Sequence, residues 1–242
     1  MESRKKQIII MLAVICSAIY GCKKEKVSYE NFDAANIFVA NLLPTAPNTV
    51  ANFFLDSLKL NPAVLTYPSI SATTTYMTVV AGNRKAVFKN STAPQDQIAS
   101  KDVVLEKNRC YSLFLAGTQA EPSVFFTEDT LVTPPPGKAL IRLVHLSPAL
   151  ANIDLALKSE FPGKPPLTKI VLDGAYQSAS KFMVVDTSAN YTIQVLNAGT
   201  STVRATTSKA VISAGYSYTL LARGIAGGSP GLTLQLFFNK PY

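Results

Sequence analysis

Two side chains near the middle of the sequence could support nucleophilic catalysis. His145, the only histidine among 242 residues, and Ser147 lie two positions apart in the segment ALIRLVHLSP. On an extended chain they would face the same side about 7 Å apart, which exceeds hydrogen-bond distance between a nucleophile and its base. Asp154 could supply an orienting acid, so a hydrolase triad stays open. We favour a structural role in which both side chains bind backbone groups at a strand end, and we predict no catalytic residue.

The spacing of metal-ligating residues indicates no metal or cofactor site. The sequence contains no Cys-x-x-Cys or His-x-x-x-His pair and no EF-hand-like acidic loop. The AGG segment at residues 226–228 precedes no predicted helix, so a phosphate-binding loop is not expected.

The N-terminal residues carry the clearest chemical signal. Three basic residues at positions 4–6 precede an apolar run over residues 8–19. This run is shorter than the roughly 20 residues of a membrane-spanning helix and has the length of a signal-peptide core. It ends in IYGC, a quartet that resembles the lipobox of bacterial lipoproteins. The resemblance implies cleavage after residue 21 and diacylglycerol on the Cys22 sulfur; the alternative is a signal peptide with an incidental cysteine.

The lipoprotein resemblance also implies a location. Lys23 stands where lipoproteins retained at the inner membrane often carry Asp, which favours the outer membrane. Two or more acyl chains would hold the protein there stably, and residues 22–34 are predicted to form a polar tether. Only Cys110 would then remain in the folded body, so no internal disulfide is expected. Nucleic acid is not an expected partner of such an exported protein, despite its net charge of +8.

Two segments of about 100 residues repeat the same series of motifs. ANIFVANLLPTAPN from Ala35 matches ALIRLVHLSPALAN from Ala139, and VFF from Val124 matches LFF from Leu236. Between these ends, NFFLDS matches DLALKS, YMTVV matches FMVVD, and LEKNRCYSLFLAG matches ISAGYSYTLLARG. The order is kept while the offset drifts from 104 to 112 residues, so the chain is predicted to contain two copies of one domain.

Apolar residues alternate with polar ones in these motifs, which favours strands. Seven or eight such segments per copy, separated by turn residues, predict an all-β chain with two tandem Ig-like antiparallel β-sandwich domains. The first copy would span residues 35–130 and the second residues 138–242. Residues 131–137 contain three prolines and are predicted to form a stiff spacer. Asn108 and Gly215 occupy the same hairpin position, where both would supply positive φ.

Four segments of the second copy resemble a known family. IRLVHLSP, NIDLAL, YTIQVLNAGT and AGYSYTLLARG are similar to the family catalogued as domain of unknown function 4397. The resemblance implies an Ig-like β-domain of bacterial envelope proteins, with no established activity. The first copy diverges, because Asn41 and Leu43 replace the His and Ser of HLSP.

A loop of the second copy is the predicted partner site. The segment KSEFPGKPPLTK places Lys158, Lys164 and Lys169 around Phe161, within a copy that carries ten basic and four acidic residues. Loops on a rigid sandwich often bind partners, and clustered lysines attract anions such as acidic glycans or lipopolysaccharide phosphates. The alternative is a solvated charged loop.

The sequence predicts two further links to carbohydrate, one as a covalent modification and one as a ligand. Asp129-Thr130-Leu131 resembles a short O-glycosylation sequence of Gram-negative envelope proteins, which would modify Thr130 in an exposed linker. A glycan-binding accessory protein is the alternative function; it would show exposed aromatics on one face, although the chain lacks Trp. The favoured function is a non-catalytic binding or spacer module of the cell envelope, with a glycan or an envelope protein as partner and a hydrolase as the least favoured alternative.

Overall fold

The computed structural model describes residues 32–44, 50–69, 76–130, 132–160, 163 and 166–239. Within these ranges the chain forms strands, turns and loops without a helix, which confirms the all-β prediction. Accordingly, no helix of the described part is long and apolar enough to cross a membrane. The predicted signal peptide and Cys22 lie outside the described residues. One compact unit begins at Asp33 and contains both copies.

The described part of the first copy forms eight strands in two sheets. Its strands are β1 (Ala34–Asn41), β2 (Ala51–Leu55), β3 (Leu58–Lys59), β4 (Met77–Val80), β5 (Gly82–Asn90), β6 (Gln97–Leu105), β7 (Cys110–Gly117) and β8 (Pro122–Glu128). The first outer sheet has the order β3-β2-β5-β6, and the first inner sheet has the order β4-β1-β7-β8. The two sheets enclose an apolar core that includes Phe53, Phe88 and Leu113.

The second copy repeats this arrangement. Its strands are β9 (Lys138–Leu146), β10 (Ile153–Ser159), β11 (Thr168–Gly174), β12 (Ser178–Ala179), β13 (Met183–Asp186), β14 (Ser188–Asn197), β15 (Val203–Ile212), β16 (Ser217–Arg223) and β17 (Thr233–Asn239). The second outer sheet has the order β11-β10-β14-β15. The second inner sheet has the order β12-β9-β16-β17, with β13 also paired to β9. A separate core includes Ile153, Ile193 and Leu220.

Strand pairing has the same register in both copies. Ile37 of β1 lies opposite Tyr111 of the parallel strand β7, and Ile141 of β9 lies opposite Tyr218 of the parallel strand β16. Each inner sheet therefore contains one parallel pair, which refines the prediction of antiparallel sandwiches. The other main pairings are antiparallel, as expected for Ig-like sandwiches.

The predicted hairpin residues have the expected backbone conformation. Asn108 has φ of 60° and Gly215 has φ of 81°. A Cβ built on Gly215 would meet no atom within 4 Å, so backbone conformation rather than space favours glycine there. Both hairpins therefore use a residue that tolerates the left-handed region at low cost.

A tyrosine stabilises the same turn in both copies. The backbone N–H of Glu106 donates to the Tyr111 hydroxyl at 3.0 Å, and that of Ser213 donates to the Tyr218 hydroxyl at 3.0 Å. Each tyrosine is buried, with only its hydroxyl used to satisfy the turn. The repeat thus extends from backbone register to individual hydrogen bonds.

A third apolar cluster joins the two inner sheets. It comprises Phe38, Ala40, Leu42, Phe114, Ala116, Val144, Leu146, Leu221 and Phe237, all buried. In β1, Ile37 faces the first core while Phe38 faces this cluster, so both faces of each inner sheet are covered. The layers run from outer sheet to inner sheet, then from inner sheet to outer sheet of the next copy. The two copies are in contact rather than held apart as the proline-containing stretch suggested.

Candidate functional site

The two candidate catalytic side chains bind backbone groups, as favoured from the sequence. His145 is fully buried, with Nε2 3.2 Å from the carbonyl oxygen of Ala151. Its Nδ1 accepts from the Ser147 N–H at 3.4 Å, and the Ser147 hydroxyl donates to the carbonyl of Gly224 at 2.5 Å. Burial lowers the pKa of His145 below its ordinary value, which fits the neutral ring that this pairing requires.

Asp154, the candidate orienting acid, is engaged elsewhere. Its carboxylate accepts from Lys169 Nζ at 2.8 Å, from the Asp173 N–H at 2.9 Å and from the Gly199 N–H at 3.1 Å. Burial alone would raise the pKa of Asp154, but these hydrogen bonds outweigh it and the pKa is lowered. Its described hydrogen bonds therefore join β10 to β11 and to the turn after β14, and they do not include His145.

Asn41 takes the place of His145 in the first copy and makes one equivalent contact. Its Oδ1 accepts from the Leu43 N–H at 3.1 Å, and its Nδ2 donates to the Leu65 carbonyl at 3.0 Å. His145 likewise accepts from the N–H two residues later through Nδ1. An amide and a neutral imidazole thus accept from the equivalent N–H, whereas their second contacts go to different carbonyls, that of Leu65 in the first copy and that of Ala151 in the second.

The predicted lysine loop is described only in part. Phe161 and Lys164 lie outside the described residues. Lys158 Nζ is 3.2 Å from a carboxylate oxygen of Glu160, and Lys169 is bound to Asp154. Both described ammonium groups thus have a carboxylate beside them, which reduces their attraction for an external anion. Contact with an anionic partner at this loop stays a prediction.

The candidate glycosylation sequence is only partly accessible. Thr130 is exposed, but Asp129 is only 2% exposed, so the expectation of a wholly exposed motif is wrong at that residue. The physical reason is that the Asp129 carboxylate pairs with the guanidinium of Arg142. Leu131 lies outside the described residues.

Asp129 is the centre of a polar network between the copies, which we call the junction. Its Oδ2 accepts from the Ser112 hydroxyl at 2.6 Å and from the Tyr76 hydroxyl at 2.6 Å. Its Oδ1 accepts from Nη2 of Arg142, which belongs to the second copy. Three donors thus surround one buried carboxylate, which compensates for its lost hydration.

Arg142 is also buried and is held on several sides. Only 1% of the residue is exposed. Its Nε donates to the Thr219 hydroxyl at 2.9 Å, and its Nη1 donates to the Glu128 carbonyl at 3.2 Å. The guanidinium carbon lies 4.9 Å from the centre of the Phe182 ring. This arrangement satisfies a buried cation through an ion pair, hydrogen bonds and an aromatic face.

Two more polar contacts flank the apolar cluster. Nη1 of Arg223 donates to the Tyr67 hydroxyl at 3.2 Å, and its guanidinium lies 5.6 Å from the centre of that ring. Nε2 of Gln177 donates to the Ser123 hydroxyl at 2.7 Å. An apolar centre with a polar border is the usual anatomy of a protein interface, here between two copies in one chain.

Arg142 is itself a sequence signal for the junction, although strand alternation does not single it out. Arg142 is a single charge within ALIRLVHL, a strand whose other residues from 139 to 146 are apolar or His. A charge in such a strand requires a buried partner when both sheet faces are covered. The position of that partner, 13 residues earlier, could not be read from periodicity.

A cleft of about 430 Å³ opens beside the junction. Its lining residues come from both copies: Thr127, Glu128, Thr130, Val132, Arg142, Ala179, Ser180, Lys181 and Phe182. Lys181 is an exposed cation on this cleft, while the Glu128 carboxylate is bound to Arg109 at 2.7 Å. Hydroxyl, charged and aromatic side chains therefore share one concave surface.

A second cavity of about 290 Å³ lies beside the lysine loop of the second copy. Its lining combines apolar residues such as Leu157 and Val185 with the ion pair between Lys138 and Asp186, whose atoms are 2.5 Å apart. Tyr191 also lines it and donates its hydroxyl to the Asp186 carbonyl. Lys138, Asp186 and Tyr191 are thus bound to one another at its border.

Exposed aromatic side chains are few in the described part. Among residues whose side chains are described there, Phe32 and Tyr216 are the exposed aromatics, at 59% and 42%. They precede β1 and β16 respectively and do not form a row on one sheet face. No group of three or more His, Cys, Asp or Glu side chains within the described ranges could hold a metal ion.

Comparisons with solved structures give remote likenesses. CBMbc (family CBM26) from Eubacterium rectale Amy13K, in complex with maltoheptaose, is 14% identical over 85% of this chain and 98% of that chain, with a TM-score of 0.27. A putative cell adhesion protein from Bacteroides uniformis is 10% identical over the same shares, also with a TM-score of 0.27. These likenesses are too remote to transfer a ligand or an activity.

Comparison of the sequence with family models, unlike comparison with solved structures, identifies the family of this chain. No curated protein matches the chain. A family match covers residues 35–156, which is the first copy together with β9 and part of β10, whereas the motifs that suggested the family lie mainly in the second copy. The match spans just over half of the 242 residues. The chain belongs to the family described as Domain of unknown function (DUF4397).

Proposed function

We propose that this protein is a lipid-anchored, non-catalytic module of the bacterial cell envelope that presents two packed sandwiches as one body. The observation that carries the proposal is the shared layer between the inner sheets, with nine buried residues from both copies beside a buried ion pair. A spacer or docking module needs a fixed relation between its parts, and a large apolar contact supplies it. Family membership supports an Ig-like β-module and gives no activity.

The anchor rests on the sequence alone. IYGC at residues 19–22 supports lipidation of Cys22, and Lys23 supports the outer membrane. We expect the Cys22→Ala variant to lose fatty-acid labelling and to accumulate as an uncleaved or mislocalised precursor. Unchanged labelling in that variant would remove the lipoprotein assignment, whereas the packing of the two sandwiches would be unaffected.

A non-catalytic role is supported by what the candidate side chains already do. His145 and Ser147 bind backbone groups at the end of β9, and Asp154 binds a lysine and two N–H groups. A triad would require these contacts to break. We expect the Ser147→Ala variant to lose stability rather than a hydrolase activity, measured by unfolding and with ester and glycoside substrates side by side.

Glycan binding is the second candidate function, and the cleft at the junction favours it. Ligand sites often lie where two domains meet, and this cleft combines Phe182, Lys181 and several hydroxyl groups. The test is calorimetric titration with neutral and uronic-acid oligosaccharides. We expect binding of the acidic set to weaken in Lys181→Ala and to persist in Lys101→Ala, a matched exposed lysine on β6. Equal affinities in the two variants would exclude this cleft.

The lysine loop is the other proposed partner surface. Its described lysines are neutralised locally, so we expect only weak, salt-dependent retention on acidic polysaccharide or lipopolysaccharide. A Lys158, Lys164, Lys169→Ala variant should elute earlier at low salt than wild type. A Lys59, Lys85, Lys101→Ala variant removes the same charge from the first outer sheet and serves as control. Identical elution of the two variants would show a charge effect without a site.

A further inference from the structure

The contact between the copies uses the same positions of the fold on both sides. By the sequence match, Ala40 corresponds to Val144 and Phe114 corresponds to Leu221, and all four lie in the shared cluster. The edge strands β8 and β17 of the two inner sheets also use corresponding positions. Phe125 corresponds to Phe237, and both pack in the shared cluster. Because both copies use the same patch, the contact resembles an isologous interface. Its apolar part alone would therefore also allow two first copies, or two second copies, to pair.

Two buried charges break this equivalence. Arg142 corresponds to Phe38 of the first copy, and Asp129 corresponds to Pro241 of the second. The surrounding positions are otherwise alike, because Tyr76 beside Asp129 corresponds to Phe182 beside Arg142. The first copy therefore supplies only the carboxylate and the second only the guanidinium.

Pairing of like copies would leave these charges without partners. Two first copies would bury two Asp129 carboxylates with no guanidinium, and two second copies would bury two Arg142 side chains with no carboxylate. A buried charge without its partner is strongly unfavourable, whereas the observed unlike pair is fully hydrogen-bonded. Repulsive elements of this kind are how interfaces reject wrong partners.

We propose that the inner-sheet faces form a docking surface specific for the unlike copy, with Asp129 and Arg142 as its specificity-determining pair. The partner that this surface fits is a second copy of the same chain, bound reciprocally: the first copy of each chain packs on the second copy of the other. With the proposed lipid anchor, two chains held close together at the membrane would be able to pack on each other in this way instead of each packing on itself. Head-to-head association of like copies is excluded by the same two charges.

The test uses soluble full-length chains that begin at Lys23 and carry one reversed charge each. Asp129→Arg leaves two guanidinium groups and no carboxylate at the junction, and Arg142→Asp leaves two carboxylates and no guanidinium. Co-expressed with different tags, the two variants should copurify as a one-to-one dimer, because each chain supplies what the other lacks. Light scattering should give about twice the single-chain mass, and either variant alone should fail to form a compact dimer or monomer.

Two further variants keep the outcome decisive if charge reversal disturbs folding. Arg142→Lys keeps the cation and should remain a compact monomer, whereas Arg142→Met leaves Asp129 unpaired and should expand in small-angle scattering or self-associate. Copurification of the reversed chains with twofold mass would support the proposal. Compact, monomeric behaviour of Arg142→Met, or of both reversed chains purified separately, would overturn it.

Discussion

The two copies meet shared backbone requirements with identical or interchangeable side chains, whereas on the face where they contact each other the first copy carries a buried carboxylate and the second a buried guanidinium. Asn41 and His145 accept from the equivalent backbone N–H, and Tyr111 and Tyr218 accept from the same turn N–H. At the junction, by contrast, Phe38 is replaced by Arg142. Divergence is tolerated within each sandwich as long as hydrogen bonds are kept, whereas on the shared face it determines which surface fits which.

The inner and outer sheets differ in how many of their faces are buried. Strand β9 is buried along almost its whole length, because one face meets its own core and the other meets the first copy. Strand β6 of the first outer sheet is instead exposed at several positions, including Val104 at 60%. Strands with two buried faces are mostly apolar, and those with one buried face are mixed.

The largest loss of stability should come from removing one of the two opposite charges at the junction. Arg142→Met removes the partner of a buried carboxylate, and we expect it to lower the free energy of unfolding by about 3–5 kcal/mol. Phe38→Met changes the corresponding residue of the first copy without leaving a charge unpaired, and should cost less than about 1.5 kcal/mol. Urea unfolding of both variants makes the comparison. Equal losses would mean that the ion pair has no special role.

His145 gives the second copy a pH dependence that Asn41 does not give the first. Because the pKa of His145 is lowered in the folded state, the unfolded chain takes up a proton that the folded chain refuses. Stability should therefore fall as the pH drops from 7 toward 5, with a slope of at most about 1.4 kcal/mol per pH unit. His145→Asn should flatten this part of the profile. An unchanged slope would show that another group is responsible.

The smallest expected loss of stability comes from the tyrosines at the equivalent turns of the two copies. Tyr111→Phe and Tyr218→Phe each remove the acceptor of one turn N–H, and each should cost about 1 kcal/mol. Thermal unfolding of the two variants should show nearly equal shifts. A large loss in one copy alone would mean that the tyrosines have diverged in role.

Local features of the fold could be predicted from the sequence, and its layering could not. Alternation identified the strands, and Asn108 and Gly215 were recognised because a backbone requirement acts on single residues. The stack of inner sheets depends on what covers the second face of a strand, which no periodicity specifies. The junction could not be predicted for the same reason: the sequence places Asp129 in a motif expected to be exposed and Arg142 in a strand, and neither position indicates that the two side chains meet.

Thiol labelling tests the contact between the inner sheets most directly. In a soluble chain beginning at Lys23 with Cys110→Ser, Val144→Cys places a thiol on the shared face, where Val144 is fully buried. Val104→Cys places one on the exposed face of the first outer sheet as a matched control. The packed arrangement predicts that Val144→Cys reacts at least about 100-fold more slowly without denaturant, because labelling requires the copies to separate. Equal rates for the two thiols would contradict it.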